Sequence, residues 1–309
     1  MIDLIISDHV NEKCIEILKK KGINVHYLPE ITQDELKKSI VDKHAIILRG
    51  RTKLNREILE NAKHLRLIVR AGVGLDNIDL NFAKERGIEV RNTPAAPSKA
   101  VAELTIALII SLLRELYKAY DSMKKSKWLK KELIGSEISS KTIGIFGFGR
   151  IGYEVAKRLK NFGCRIIAYD IDPTRQTFAN ELGIEFTTNM DYVLKQSDII
   201  TIHIPLIEST KNLFSYETLI KMKRGSYIVN VSRGEVLDEG ALLKLIKEGH
   251  IKGAALDVFS NEPPNSEIEK ELLRDDRVIA TPHIGAQTVE TMEAEAIEAA
   301  EIVIRFFNL

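Results

Sequence analysis

The run Lys141-Thr-Ile-Gly-Ile-Phe-Gly-Phe-Gly-Arg-Ile-Gly152 constrains the fold more than any other stretch of the sequence. Residues 142–146 are β-branched and apolar enough for a buried strand, and they run directly into Gly147-x-Gly149-x-x-Gly152. The pattern predicts a helix over 153–161 and a second strand over 165–170. Gly147 permits a tight turn, Gly149 lets backbone approach a pyrophosphate, and Gly152 lets the helix pack closely on the sheet. The helix N-terminus offers N–H groups and a positive dipole end to phosphates. Asp170 follows the last glycine by 18 positions, where a carboxylate can accept hydrogen bonds from both adenosine ribose hydroxyls. A GxGxxG alone is weak. Strand, glycines, helix, strand and acid in this order point to a dinucleotide site.

On either side of this unit, apolar and amphipathic stretches alternate. Strands are predicted at 4–7, 24–27, 45–48, 67–69 and 89–91, with helices at 11–21, 33–41, 55–62 and 79–86 between them. Further strands fall at 198–203, 226–231, 253–257 and, as an edge, 277–280. Such alternation implies parallel sheets covered on both faces. The expected architecture is therefore α/β with two parallel-sheet domains: a flavodoxin-like substrate domain and a Rossmann-type NAD-binding domain, with an active-site cleft between them. A long helix over 98–123, capped by Ser98, enters the second domain, and a last helix over 288–307 returns to the first. The expected division is 1–96 with 285–309 for the substrate domain and 97–284 for the NAD-binding domain. The basic stretch 124–131 carries the single tryptophan, Trp128. It suits either a solvated loop with one anchoring aromatic or a homodimer contact that lends a cation to a neighbouring active site.

Composition removes several classes. Lys and Arg total 45 against 44 Asp and Glu, a balance unlike the basic excess of a nucleic-acid or membrane-surface protein. Cys14 and Cys164 lie in separate elements and form no metal-ligand pattern, so no metal is expected. The apolar run at 104–113 is too short to span a bilayer, and no basic segment precedes the short apolar N-terminus. A cytoplasmic location is expected.

Four loops follow strands of the nucleotide domain, at the sheet edge where ligands bind. They carry Arg233, Glu262, His283 and His203. Oxidation of a 2-hydroxy acid by a nicotinamide needs a cation for the carboxylate and carbonyl, an acid–base for the hydroxyl proton, and a partner for that base. Arg233 suits the first role, because its planar fork binds two oxygens and keeps its charge. His283 suits the second. Glu262, bonded to His283, would favour the imidazolium. Taken singly, Arg233 suits a surface turn, Glu262 a solvated charge before Pro263-Pro264, and His283 a helix-capping neighbour. Together, in three loops at one edge, they favour a site. His203, before Pro205, reads as a structural residue lining the nucleotide pocket.

These stretches, with Val231-Ser-Arg-Gly-Glu235, Ala255-Leu-Asp-Val-Phe-Ser-Asn-Glu-Pro263 and Thr281-Pro-His-Ile-Gly285, resemble the D-isomer-specific 2-hydroxyacid dehydrogenases over the whole chain. Arg70-Ala-Gly-Val-Gly74 and Asn92-Thr-Pro94 are similar to the phosphoglycerate-oxidising branch of that family, in a short form without a C-terminal regulatory domain. The resemblance implies Arg233 as the substrate clamp and Glu262–His283 as the acid–base pair. It implies that Arg150, Ile151, Asp170, Ile204, Val231, Asp257, His283 and Gly285 line the NAD pocket. Asp170 would repel a 2′-phosphate, so NAD is expected over NADP. The amides of Val73 and Gly74 would hold the substrate carboxylate. Val73 itself departs from the hydroxyl residue common in that branch. Arg49, with Arg51, Arg70 or Lys130 of the partner subunit, would meet a substrate phosphate. The implied activity is oxidation of 3-phospho-D-glycerate to 3-phosphohydroxypyruvate in serine synthesis, by a homodimer. The alternatives are a glyoxylate or hydroxypyruvate reductase on the same scaffold, or a non-enzymatic NAD-sensing scaffold.

Overall fold

The computed structural model describes residues 2–309, which fall into two compact units: 2–97 with Ala286–Leu309, and Ser98–Gly285. In the first unit, strands β1 (Asp3–Ile6), β2 (Asn24–Tyr27), β3 (Ala45–Leu48), β4 (Leu67–Arg70) and β5 (Glu89–Asn92) form an all-parallel sheet of order β2-β1-β3-β4-β5. This is the flavodoxin-like order. The central β3, Ala-Ile-Ile-Leu, is fully buried because helices cover both faces, whereas the edge strands β2 and β5 are partly exposed. Each strand-to-helix turn has its own stop signal. Asn11, Thr32, Asn55 and Asp79 accept hydrogen bonds from first-turn amides of the helices that follow, and Thr32 forms a capping box with Glu35. The last helix, Val289–Phe307, presents Ala296, Ala299, Ala300 and Val303 to the core formed by Leu4, Leu18, Ile47 and Val69. That spacing is one face of a helix. Cys14 lies in the same core, where burial pushes its thiol up to about 12 and leaves it inert.

The second unit contains β6 (Thr142–Phe146), β7 (Arg165–Tyr169), β8 (Glu185–Thr187), β9 (Ile199–Ile202), β10 (Ser226–Asn230), β11 (Ile251–Leu256) and β12 (Val278–Ala280). All pairings are parallel, and the order is β12-β11-β10-β9-β6-β7-β8. Counted from β6, this is the doubly wound nucleotide-binding order, extended by one strand, and it reverses between β6 and β9. β12 is an edge strand, as its sequence suggests. β8 escapes sequence reading because three half-buried residues at the opposite edge show no run of apolar residues.

Two local expectations are corrected. The helix expected over 98–123 is two helices, Ser98–Arg114 and Leu116–Lys124, separated by Glu115 at φ 49° and ψ 40°. A left-handed residue breaks the helix while apolar periodicity continues across it, and glutamate gives no glycine-like warning. Ser98 is the first helical residue and does not cap: its hydroxyl is buried with no hydrogen-bond partner. Among the described residues, no helix is long and apolar enough to cross a membrane.

Candidate active site

The glycine loop has the geometry that its residues dictate. Gly147 sits at φ +90°, and a Cβ there would lie 2.7 Å from the carbonyl oxygen of His203. A Cβ on Gly152 would lie 2.2 Å from the carbonyl oxygen of Gly147, so only glycine lets the helix start against the loop. Around Gly149, by contrast, no protein atom lies within 4 Å of where a Cβ would stand. Gly149 is also the N-cap of helix Arg150–Leu159 and supplies no capping side chain. The first-turn amides of that helix donate to no acceptor among the described residues, which fits the pyrophosphate of NAD. Just past β7, Asp170 accepts from the Phe148 amide at 2.8 Å and from the Asp172 amide at 3.0 Å. These bonds fix the carboxylate beside the loop, where a 2′-phosphate would meet a like charge.

The carboxyl ends of β10, β11 and β12 bring the predicted acid–base pair together. Nδ1 of His283 lies 2.7 Å from Oε2 of Glu262. Burial alone would push the Glu262 carboxyl up, but its bond to His283 and the charges of His283 and Arg233 hold it below the ordinary 4.5. Glu262 is thus ionised at neutral pH and near enough to Arg233 to sense its charge. Gly234 explains that proximity: a Cβ on it would lie 2.0 Å from the carbonyl carbon of Phe259, so the Arg233 loop presses directly on the loop that leads to Glu262. Nη1 of Arg233 donates to the Ser232 carbonyl at 2.6 Å. His283 occupies the left-handed region at φ 50°, and its amide donates to the Asp257 and Thr281 carbonyls. Non-glycine residues rarely adopt this conformation, and it persists where surrounding bonds enforce it.

Three buried polar residues hold these loops. Asp257 accepts from Thr281 Oγ1 at 2.6 Å and from the Ile284 and Gly285 amides at 2.9 Å each. Burial raises its carboxyl above the ordinary value despite these bonds. Asp257 thereby anchors the turn that carries His283. Asn230, which sequence reading missed, donates to the Arg233 carbonyl at 2.9 Å and accepts from the amide and hydroxyl of Ser232. Its signal was a lone polar residue in an otherwise apolar strand end. Glu269, also missed, is fully buried and accepts from the amides of Asn261, Asn265 and Ser266. Burial opposes ionisation, but these bonds win and bring its carboxyl down to about 2.

A depressed carboxyl stabilises the fold fully above its unfolded value, and the contribution is lost as pH falls through the folded value. Glu269→Gln should therefore destabilise the unit by about 2 kcal/mol at neutral pH. In urea titrations the difference from the parent chain should shrink as pH falls from 4.5 towards about 2. Equal stability at neutral pH would show that the loop does not depend on this carboxylate.

His203 is not poised for proton transfer. Its Nε2 lies 2.9 Å from Thr201 Oγ1, its Nδ1 is buried without a partner, and burial pushes the imidazole down to about 3. It stays neutral, with its backbone against Gly147, in keeping with a structural role at the nucleotide loop.

In the first unit the residues expected to meet substrate, Arg49, Val73 and Gly74, follow β3 and β4. The Asn77 side chain donates to the carbonyls of Arg49 and Thr52, stitching the two loops together. The Val73 and Gly74 amides donate to no acceptor among the described residues, while the Val73 carbonyl accepts from Asn92. The Arg49 guanidinium lies 3.0 Å from Oε2 of the buried Glu295. Arg51 is differently engaged: its fork donates to the carbonyls of Ser7, Pro29 and Ile31 and faces Asp8 at 3.2 Å. Those contacts make it a structural tie. Arg70 donates to the Ala71 carbonyl at 3.2 Å. Trp128 is 76% exposed, so it anchors nothing within this chain. No group of three or more His, Cys, Asp or Glu that could hold a metal occurs among the described residues.

A doubly wound sheet with this glycine loop and an aspartate just past its second strand fits a dinucleotide-binding domain. The family model described as "D-isomer specific 2-hydroxyacid dehydrogenase, NAD binding domain" matches residues 106–285. The chain is 42% identical to a hydroxypyruvate reductase of Thermotoga maritima over 300 residues, covering 97% of this chain and 96% of that one. It is 40% identical to a D-3-phosphoglycerate dehydrogenase of Methanocaldococcus jannaschii, covering 97% of this chain but 56% of the relative. It thus spans about half the length of that relative. Among solved structures, a D-lactate dehydrogenase of Aquifex aeolicus, complexed with NAD and lactic acid, superposes with a TM-score of 0.87 at 29% identity, over 99% of this chain and 95% of that one. The chain belongs to the D-isomer specific 2-hydroxyacid dehydrogenases. It is an NAD-dependent oxidoreductase of small 2-hydroxy and 2-keto acids.

Proposed function

We propose that the chain oxidises 3-phospho-D-glycerate to 3-phosphohydroxypyruvate with NAD, a reaction of serine biosynthesis, as a cytoplasmic homodimer. The observation that carries the catalytic part is the 2.7 Å bond between Glu262 and Nδ1 of His283. With Nδ1 engaged, Nε2 is the ring atom left to take the C2 hydroxyl proton on oxidation and return it on reduction. Glu262 fixes the ring and stabilises its protonated form. Arg233 holds the carboxylate and polarises the C2 oxygen with a permanent charge. NAD, when bound, supplies the hydride acceptor.

The first unit serves as the substrate domain, residues 1–96 and 285–309 by sequence. Its Val73 and Gly74 amides receive the carboxylate and its Arg49 the distal phosphate. Arg150, Ile151, Ile204, Val231, Asp257 and Gly285 line the NAD pocket with the glycines and Asp170. Exposed Tyr120, Met123, Trp128 and Ile134 support the dimer, because large apolar groups in water commonly mark a contact surface.

A second reading, reduction of unphosphorylated hydroxypyruvate or glyoxylate, is favoured by the Arg49–Glu295 pair, which already gives Arg49 a counter-charge. Comparing kcat/KM for phosphohydroxypyruvate and hydroxypyruvate with NADH decides between them. The first reading expects the phosphorylated acid to be preferred. A preference of about tenfold or more for hydroxypyruvate, some 1.4 kcal/mol in the transition state, would overturn it in favour of the second.

A further inference from the structure

Glu295 is a buried acid that the reaction does not use. It comes from the last helix, is 2% exposed, and reaches Arg49 across 246 positions of sequence. Oε2 pairs with Arg49 Nη2 at 3.0 Å, while the buried Oε1 has no hydrogen-bond partner. Apolar Val10, Ala71, Met292 and Ala296 line the small indentation beside the pair. A carboxylate kept for structure alone is normally satisfied at both oxygens, as Glu269 is by the Asn261 amide at one and the Asn265 and Ser266 amides at the other. Glu295 is half satisfied, and burial raises its carboxyl above the ordinary 4.5 although Arg49 and Arg70 pull it down.

Arg49 is the complementary half of the observation. Its amide donates to Asp8 at 2.6 Å and its carbonyl accepts from Asn77, so its backbone is fixed. Its side chain is 17% exposed, and its other guanidinium N–H groups donate to no acceptor among the described residues. The part of the Arg49 side chain left exposed is what an anion could meet, and the charge it offers is already shared with the Glu295 carboxylate. In a poorly solvated setting two like charges repel strongly. A phosphate dianion meets that repulsion and a neutral hydroxymethyl group does not.

We infer that Glu295 is a specificity-determining residue: it competes with the distal group of the substrate for Arg49, and so sets the ratio in which phosphorylated and unphosphorylated 2-keto acids are turned over. This rests on the reading that Arg49 faces the distal end of the substrate. The residue acts through Arg49 and touches no reacting atom.

The test uses the full chain with NADH and measures kcat and KM for 3-phosphohydroxypyruvate and hydroxypyruvate. Glu295→Gln keeps the size and an oxygen for Arg49 while removing the charge. It should raise the phosphorylated-to-unphosphorylated ratio of kcat/KM about tenfold or more, chiefly through a lower KM for the phosphorylated acid. Glu295→Asp keeps the charge and should stay near the parent ratio. A ratio moved by less than about threefold in Glu295→Gln, or equal loss with both acids, overturns the inference and leaves Glu295 a structural residue. Arg49→Gln separates the two layers. If it lowers the ratio while Glu295→Gln does not move it, only the Glu295 role fails; if it leaves the ratio unchanged, Arg49 is not the distal contact and both fail.

Discussion

Replacing His283 with alanine should lower kcat/KM by about three orders of magnitude, with NAD affinity retained. The expectation follows from the bond between His283 and Glu262, which leaves a single ring nitrogen to exchange the hydroxyl proton. His203, whose backbone lies against the glycine loop, offers no substitute, because burial holds it neutral down to about 3. Stopped-flow or steady-state reduction of a 2-keto acid with NADH, alongside NADH binding by fluorescence, separates lost chemistry from lost cofactor. An unchanged rate would remove His283 as the acid–base.

Arg233→Gln should cost about two to three orders of magnitude in kcat/KM. Part should appear as a higher KM for the keto acid, because the fork binds the carboxylate in the ground state as well as the transition state. Arg233→Lys should recover only part of the loss, since an ammonium presents a point charge and not a planar pair of donors. The Arg233 loop is held by Asn230 and by contact at Gly234, so the substitution should leave the fold intact. Circular dichroism melting checks that expectation. A loss below about tenfold would mean that another cation clamps the carboxylate.

Much of the fold was legible because local rules decide it. A strand buried on both faces reads as a near-continuous apolar run, and β3 does so throughout, β6 and β9 with one threonine each. A turn that needs positive φ, or contact with no room for a side chain, needs glycine, and Gly147 and Gly152 provide it. The break at Glu115 and the short strand β8 were not legible. In both places tertiary packing overrides a local pattern that is absent or that continues through.

The catalytic residues could be nominated from sequence, because each follows a strand and carries the charge that the chemistry requires. Their supports could not. Glu262 and His283 are 21 positions apart and meet only because β11 and β12 lie side by side in the sheet. Glu269 and Asn230 look like ordinary polar residues until burial shows that their bonds hold the loops. The same limit applies in the first unit, where Arg49 and Arg51 are two residues apart and chemically alike. The structure ties Arg51 to backbone carbonyls and pairs Arg49 with an acid from the last helix.

The sequence by itself determined two parallel α/β units, an NAD-binding glycine loop and three residues fit for hydride-transfer chemistry on a 2-hydroxy acid. Those depend on neighbours in the chain and on side-chain chemistry, which a sequence states directly. Only the tertiary structure decided which charges remain available and which are already paired. That depends on strand order and helix packing, which bring together residues as far apart as Arg49 and Glu295.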